Sequence, residues 1–159
     1  MLRRVDGRRG RGIAPVMATI MLLGVGFAPA PSAGADATDN LRSAVDQVRA
    51  GTSCGALRGD PIIEKVATKI NQSTQNYIDH QATQTPITDP LTGLKILGYR
   101  GTKATLLQGA STNDADSIKA LILQGYNKIP DCAYTDFGAN MQLNERTGYW
   151  LTAVVLAGA

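Results

Sequence analysis

From Tyr149 to Leu156 the chain is apolar at every position except Thr152. A run of that kind suits a strand covered on both faces. Just upstream, Phe137, Ala139, Met141 and Leu143 alternate with Gly138, Asn140, Gln142 and Asn144. That is the period of a strand with one wet face. Asn144 to Gly148 supplies the turn between them, so a hairpin with an interior last strand is expected at this end of the sequence.

Helical periodicity dominates the preceding hundred residues. Leu41, Ala44, Val45 and Val48 fall on one face of a short helix that Thr38 or Asp39 can cap and Gly51 can stop. Asp60-Pro61 then pairs an N-cap residue with proline at the first helical position. Behind it Ile63, Val66, Ala67, Ile70, Thr74, Tyr77 and Ile78 share a face of a helix expected to reach about Ala82. The stretch from Thr83 to Gly93 is rich in Thr, Pro and Asp and reads as a loop. Leu94 to Tyr99 and Ala104 to Leu107 each resemble a strand, and Arg100-Gly101 divides them; the pattern does not assign both. Asn113 or Thr112 can cap a last helix, with Asp114 and Asp116 in its first turn. Ala115, Ile118, Leu121 and Ile122 face inward, and Gly125 ends it. Helices followed by a helix-covered sheet make an α+β sandwich.

The beginning of the chain reads differently. Arg3, Arg4, Arg8, Arg9 and Arg11 precede an apolar run from Ile13 to Phe27, and small residues follow up to Ala35 and Ala37. A basic head, apolar middle and A-x-A sites describe a cleavable export signal, residues 1–35, cut at Ala35 or at Ala37. The apolar run, broken by Gly24 and Gly26, is shorter than the roughly 20 residues of a membrane span, so no stable anchor is expected. The leader and the Ala, Gly and Thr usage suggest a bacterial source. Removing the leader changes the charge. The whole chain carries +3, but residues 36–159 hold 11 Lys and Arg against 12 Asp and Glu, a net of −1. No basic patch is left to favour nucleic acid.

Residues 36–159 form one domain by length, enough to bury roughly two thirds of their unfolded surface. Cys54 and Cys132 are the two cysteines of the chain. In an exported protein they most simply form one disulfide; two free thiols or an intermolecular pair are the alternatives.

The order of elements, together with "CAYTDFGANM" and "GYWLTAVVLAG", resembles the CAP superfamily, the cysteine-rich secretory, antigen 5 and pathogenesis-related-1 (SCP-like) extracellular domain. Tyr134-Thr135-Asp136-Phe137-Gly138 is similar to the family's approach to its penultimate strand, and Tyr149-Trp150 to the aromatic pair opening its last. The resemblance implies an α-β-α sandwich with a central antiparallel sheet. It also implies a cleft where two histidines and two acidic residues can hold a divalent metal. Here His80 is the one histidine of the chain and can stand for the first. Lys103, Ala104 and Thr105 offer no carboxylate where the acidic motif belongs, and Gln124, Gly125 and Tyr126 offer no imidazole. One histidine and scattered carboxylates make a poor metal site, so neither metal nor cofactor is expected.

Other chemistries are weaker still. Ser73, Ser111 or Ser117 with His80 as base lacks a strained G-x-S-x-G elbow. Asp114 and Asp116, or Asp131 and Asp136, are explained by helix and turn geometry better than by glycoside hydrolysis. Arg100 and Arg146 lie in no phosphate loop. Asn71-Gln72-Ser73 is a sequon on an expected helix. The remaining candidate is a small-ligand pocket in which Tyr77, Tyr99, Tyr126 and Tyr134 surround His80; the favoured alternative is that these tyrosines pack in the core and at its rim. The expectation is therefore a secreted, non-catalytic interaction module for an apolar, lipid- or sterol-like ligand or for a protein partner. A secreted hydrolase or metal-dependent enzyme using His80 is the alternative.

Overall fold

The computed structural model describes residues 33–159, with side chains from Asp36 onward; the expected export signal up to position 32 lies outside the described residues. Four helices, α1 (Ala33–Ala50), α2 (Pro61–Ile78), α3 (Pro90–Ile96) and α4 (Asp114–Gln124), surround four strands, β1 (Arg58–Gly59), β2 (Lys103–Ser111), β3 (Asp136–Asn144) and β4 (Tyr149–Gly158). The sheet order is β1-β3-β4-β2. β4 pairs antiparallel with β3 on one side and with β2 on the other, so the last strand is interior, as its apolar run requires. β1 adds two residues in parallel to the start of β3, which makes the sheet mixed rather than wholly antiparallel.

The alternation of β4 divides the core. Val154 and Leu156 join Ala37, Leu41, Val45, Leu107 and Leu121 beneath α1 and α4. Ala153, Val155 and Ala157 join Ile63, Val66, Ala67, Ile70 and Leu94 beneath α2 and α3. The result is an α+β sandwich of three layers. Small residues set how closely α2 can lie: a Cβ on Gly138 would sit 2.2 Å from the Glu64 amide nitrogen, so glycine is the residue that lets this helix rest on β3.

Several expectations need correction. The face of β3 expected to be wet lies under α2, with Gly138 and Asn144 buried, and Ala115 of α4 is exposed rather than inward. α1 begins at Ala33, so Thr38 and Asp39 lie inside the helix and do not cap it. Thr38 instead clasps the open edge of β3, its Oγ1 accepting from the Met141 amide at 3.1 Å and donating to the Met141 carbonyl at 3.3 Å. α2 stops at Ile78, not Ala82, and Tyr77 is 44% exposed rather than inward. Leu94 to Tyr99 is the end of a helix and the turn after it. Asp89 caps α3 through the Leu91 amide, and Pro90 follows as its first residue. This repeats the Asp60-Pro61 arrangement, and β2 takes the competing strand assignment.

Arg49 is the centre of a buried polar knot. Its guanidinium is 2% exposed and faces no carboxylate. Nε donates to the Gly55 carbonyl at 2.8 Å. One terminal nitrogen donates to Ile129 and Asp131 at 2.6 and 3.1 Å, and the other to Tyr134 at 2.8 Å. The end of α1 is thereby tied both to the loop after it and to the loop entering β3. The Cys54–Cys132 disulfide joins the same two loops, with Cα atoms 5.2 Å apart and a sequence separation of 78. A closed loop of that length is worth roughly 4–5 kcal/mol in the chain-entropy account.

Arg49→Met keeps the volume and strands carbonyls that the guanidinium satisfied. We expect it to cost about 3–5 kcal/mol, because buried acceptors left unpaired are expensive. Urea titration should show a lower midpoint at unchanged slope; an unchanged midpoint would remove Arg49 from the fold's foundations.

Candidate functional site

His80 stands just past the end of α2. Asp79 is the C-cap; the His80 amide donates to the Tyr77 carbonyl at 3.1 Å and the Gln81 amide to Asn76 at 2.8 Å. This pair of bonds reverses the chain and needs a left-handed residue between them, a place usually held by glycine. His80 takes it with φ 55°. The histidine thus occupies a backbone position, with its side chain exposed. Asp79 beside it is turned inward, accepting from Asn144 Nδ2 at 3.0 Å, while Arg146 donates to its backbone carbonyl at 2.7 Å. These contacts fasten the β3–β4 turn to the end of α2.

The five residues weighed for one pocket are not gathered in one place. Tyr77 and His80 lie at the C-terminal end of α2. Tyr99 packs against the α2–α3 side of the core, and its hydroxyl donates to Asp136 Oδ2 at 2.9 Å, at the start of β3. Asp136 and the turn near His80 lie at opposite ends of a nine-residue strand, roughly 27 Å apart at 3.4 Å per residue. Tyr126 follows α4 on the other face of the sheet and is 71% exposed. Tyr134 is buried, with Lys103 Nζ 4.4 Å above its ring.

The serines weighed as nucleophiles are engaged elsewhere. Ser117 Oγ donates to the Trp150 carbonyl at 3.0 Å, and Ser73 and Ser111 accept from the Ile87 and Asn113 amides. Asp114 and Asp116 sit in the first turn of α4. Asp131 accepts from Lys103 Nζ at 2.7 Å, and Asp136 pairs with Arg58 at 2.8 Å. Asn71 of the sequon is 1% exposed, with its amide nitrogen on the Leu151 carbonyl, so a glycan has no access to it. Among the described residues no three His, Cys, Asp or Glu side chains converge on a point where a metal ion could sit.

The positions where the resemblance places an acidic motif and a second histidine do come together. Ala104, Thr105 and Gln124 line one cleft of about 420 Å³ with Thr88, Asp89, Pro90, Leu106 and Gln108. Its single charged group is Asp89, and that carboxylate already caps α3. His80 does not line it. A second hollow of about 210 Å³ lies between α2 and α3. Val66, Ile70, Ile87, Gly93, Ile96 and Leu97 form its walls, with Lys69 and Asp89 at the rim. Ile96 is 79% exposed there, and Ile87 and Leu97 are also uncovered. A third cleft, beside Asp60 and Gly138, contains the Arg42–Glu64 ion pair at 2.7 Å.

Sequence reasoning missed Arg49, Thr38 as an edge clasp, and the apolar hollow. The first had a signal: Leu41, Val45 and Arg49 are four apart, which puts the arginine on the buried stripe. The hollow had none, because the wall facing α2 comes from residues 87–97, read from the sequence as a loop and a strand.

No family model and no curated protein matches the chain. Solved structures do match its fold. An outer surface protein of Borrelia burgdorferi aligns with TM-score 0.63 and 13% identity, over 77% of this chain and 92% of that one. A cysteine-rich secretory protein of Staphylococcus aureus aligns at 0.59 and 12%, over 82% of this chain. An extracellular protein containing an SCP domain, from Bacillus anthracis, aligns at 0.55 and 12%, over 79%. The chain spans 40% and 41% of the last two. The fold is therefore CAP-like, as the terminal motifs implied.

Two outcomes test these assignments. His80→Gly removes a side chain from a left-handed position, and we expect it to raise stability by up to about 1 kcal/mol; a clear loss in thermal unfolding would show that the imidazole itself is needed. Burial, followed by the hydrogen bond to Asp136, pushes the Tyr99 hydroxyl up to about 12. The folded state thus keeps a proton that the unfolded chain releases near pH 10, so stability is full below that value and falls as pH rises towards 12. Tyr99→Phe should flatten this alkaline decline in melting temperature; an equally steep decline would assign it to other groups.

Proposed function

We propose that this chain is an exported, non-catalytic CAP-like binding module that holds an elongated apolar, lipid-like molecule in the hollow between α2 and α3. The observation that carries the reading is a concave group in which Ile87, Ile96 and Leu97 are exposed beside the buried Val66 and Ile70. Isolated exposed aliphatics are ordinary, but a concave group of them is what an apolar ligand requires. Gly93 forms the floor beside Val66, which keeps the hollow deep.

Export is supported by the leader pattern, by the disulfide and by the secretory, outer-surface and extracellular descriptions of the structural relatives. No helix among the described residues is long and apolar enough to cross a membrane. Of the two cleavage positions, Ala35 fits the fold better. Ala37 is buried in the core and Thr38 binds the edge of β3, so cutting after Ala37 would remove a core residue and place a charged amine beside that clasp.

Binding is measurable with cis-parinaric acid, whose fluorescence rises in apolar surroundings. The mature domain should bind it, and Ile96→Asp should weaken binding at least tenfold while leaving the melting temperature nearly unchanged, since Ile96 is exposed. Absence of binding, or binding indifferent to Ile96→Asp and Ile87→Asp, would overturn the lipid reading. Intact-mass analysis of the secreted protein should give a chain that starts at Asp36. A chain starting at Thr38 would contradict the placement of the cut.

A further inference from the structure

The two outer edges of the sheet are treated differently. On the β3 side, the Thr135 and Phe137 carbonyls accept from the Arg58 and Asp60 amides, and Thr38 clasps Met141. The backbone groups of odd-numbered β3 residues therefore point outward, and partners meet those of Phe137 and Met141. The register then fixes the other edge. Even-numbered residues of β3 bond to odd-numbered residues of β4, and even-numbered residues of β4 bond to odd-numbered residues of β2. The amides and carbonyls of Ala104, Leu106, Gln108 and Ala110 consequently face away from the sheet. Gln124 Oε1 accepts from the Gln108 amide, which agrees with that direction. Among the described residues no other partner is recorded for these outward groups.

Natural sheets blunt an open edge with charge, proline or a bulge. Between Ala104 and Ser111, β2 has no charged residue and no proline. It keeps its ladder to β4 over all nine residues without interruption. Beside this bare edge lies the 420 Å³ cleft, with Thr88, Asp89 and Pro90 on one side and Gln124 on the other. The cleft thus offers backbone donors and acceptors at a strand's spacing, with room for side chains on both faces.

We propose that this edge is a docking site for an extended segment of a partner protein, which adds a fifth strand beside β2. Main-chain bonds to Ala104, Leu106 and Ala110 supply the affinity, and alternate side chains enter the cleft. The outward groups span seven residues, so the segment is about six residues long. Asp89 is the one charged group lining the cleft, and it selects for an uncharged segment or one with a single basic side chain directed at it. This site adjoins the apolar hollow at Asp89, and the proposal does not depend on the hollow being filled.

The test uses the mature domain and a six-residue acetylated, amidated peptide of alternating valine and threonine with one lysine, followed by amide NMR shifts. Ala104→Pro and Ala110→Pro remove outward N–H groups and leave the bonds to β4 intact, since proline is tolerated at such edge positions. The expected result is saturable shifts at Ala104, Leu106, Gln108 and Ala110, weakened at least tenfold by each proline variant with its circular dichroism unchanged. Methylating the peptide nitrogens on its bonding edge should also abolish the shifts. Silence at ~1 mM peptide, a weaker affinity than specific recognition requires, would overturn the proposal. So would shifts elsewhere, or binding that survives both proline variants. A dimer in sedimentation that Ala104→Pro dissociates would also overturn it, by assigning the edge to a second copy of the chain.

Discussion

Both apolar faces of β4 must be kept from water, and most of the architecture follows from that requirement. A strand with Val154 and Leu156 on one side and Ala153, Val155 and Ala157 on the other needs a layer of helix above and below it. It also needs a neighbour on each edge, because its own backbone groups are buried. β3 and β2 provide those neighbours, and α1, α4, α2 and α3 provide the layers. The small residues on the α2 side belong to the same solution. Gly138, Ala153 and Ala157 leave space that the backbone of α2 fills, which is how a sheet and a helix reach native packing density without large side chains between them.

Two of the loops around this sandwich reach the core only through Leu57, Ile129 and Tyr134, and Arg49 and the disulfide tie them together. The guanidinium is a delocalised cation with donors in a fixed fork, suited to collecting several carbonyls at once. In doing so it replaces a piece of regular secondary structure: the segments after α1 and before β3 have few ladder bonds of their own. The disulfide then limits how far those segments separate in the unfolded chain. Sites built on such a frame are fixed in place. The apolar hollow is set by two helices, α2 and α3, each started by an Asp-Pro pair, and the cleft beside β2 is set by a strand that cannot shift register while β4 is buried.

The positions to which the resemblance assigned a metal-binding cleft make other contacts here. Lys103, near where an acidic motif would lie, is paired with Asp131 and stacked over Tyr134. Gln124, where an imidazole would lie, seals one amide of the β2 edge. His80 serves a helix end. Each of these residues makes a structural contact in the domain.

Much of this was legible along the chain. Alternation over residues 137–143 and the unbroken apolar run after Tyr149 determined a hairpin with an interior last strand. The 3.6-residue spacing determined α1, α2 and α4, because periodicity records which face each element will bury. The disulfide was one of three readings open to Cys54 and Cys132. The rest had no local signal. Leu94 to Tyr99 looks like a strand by composition, and only packing against α2 makes its first turn a helix. Tyr77, Tyr99, Tyr126 and His80 look like a set in one dimension, yet the sheet separates them, since residues distant in sequence meet only as topology allows. The apolar hollow and the open edge of β2 were decided by tertiary structure alone: each is a surface left uncovered after every other face has found its partner.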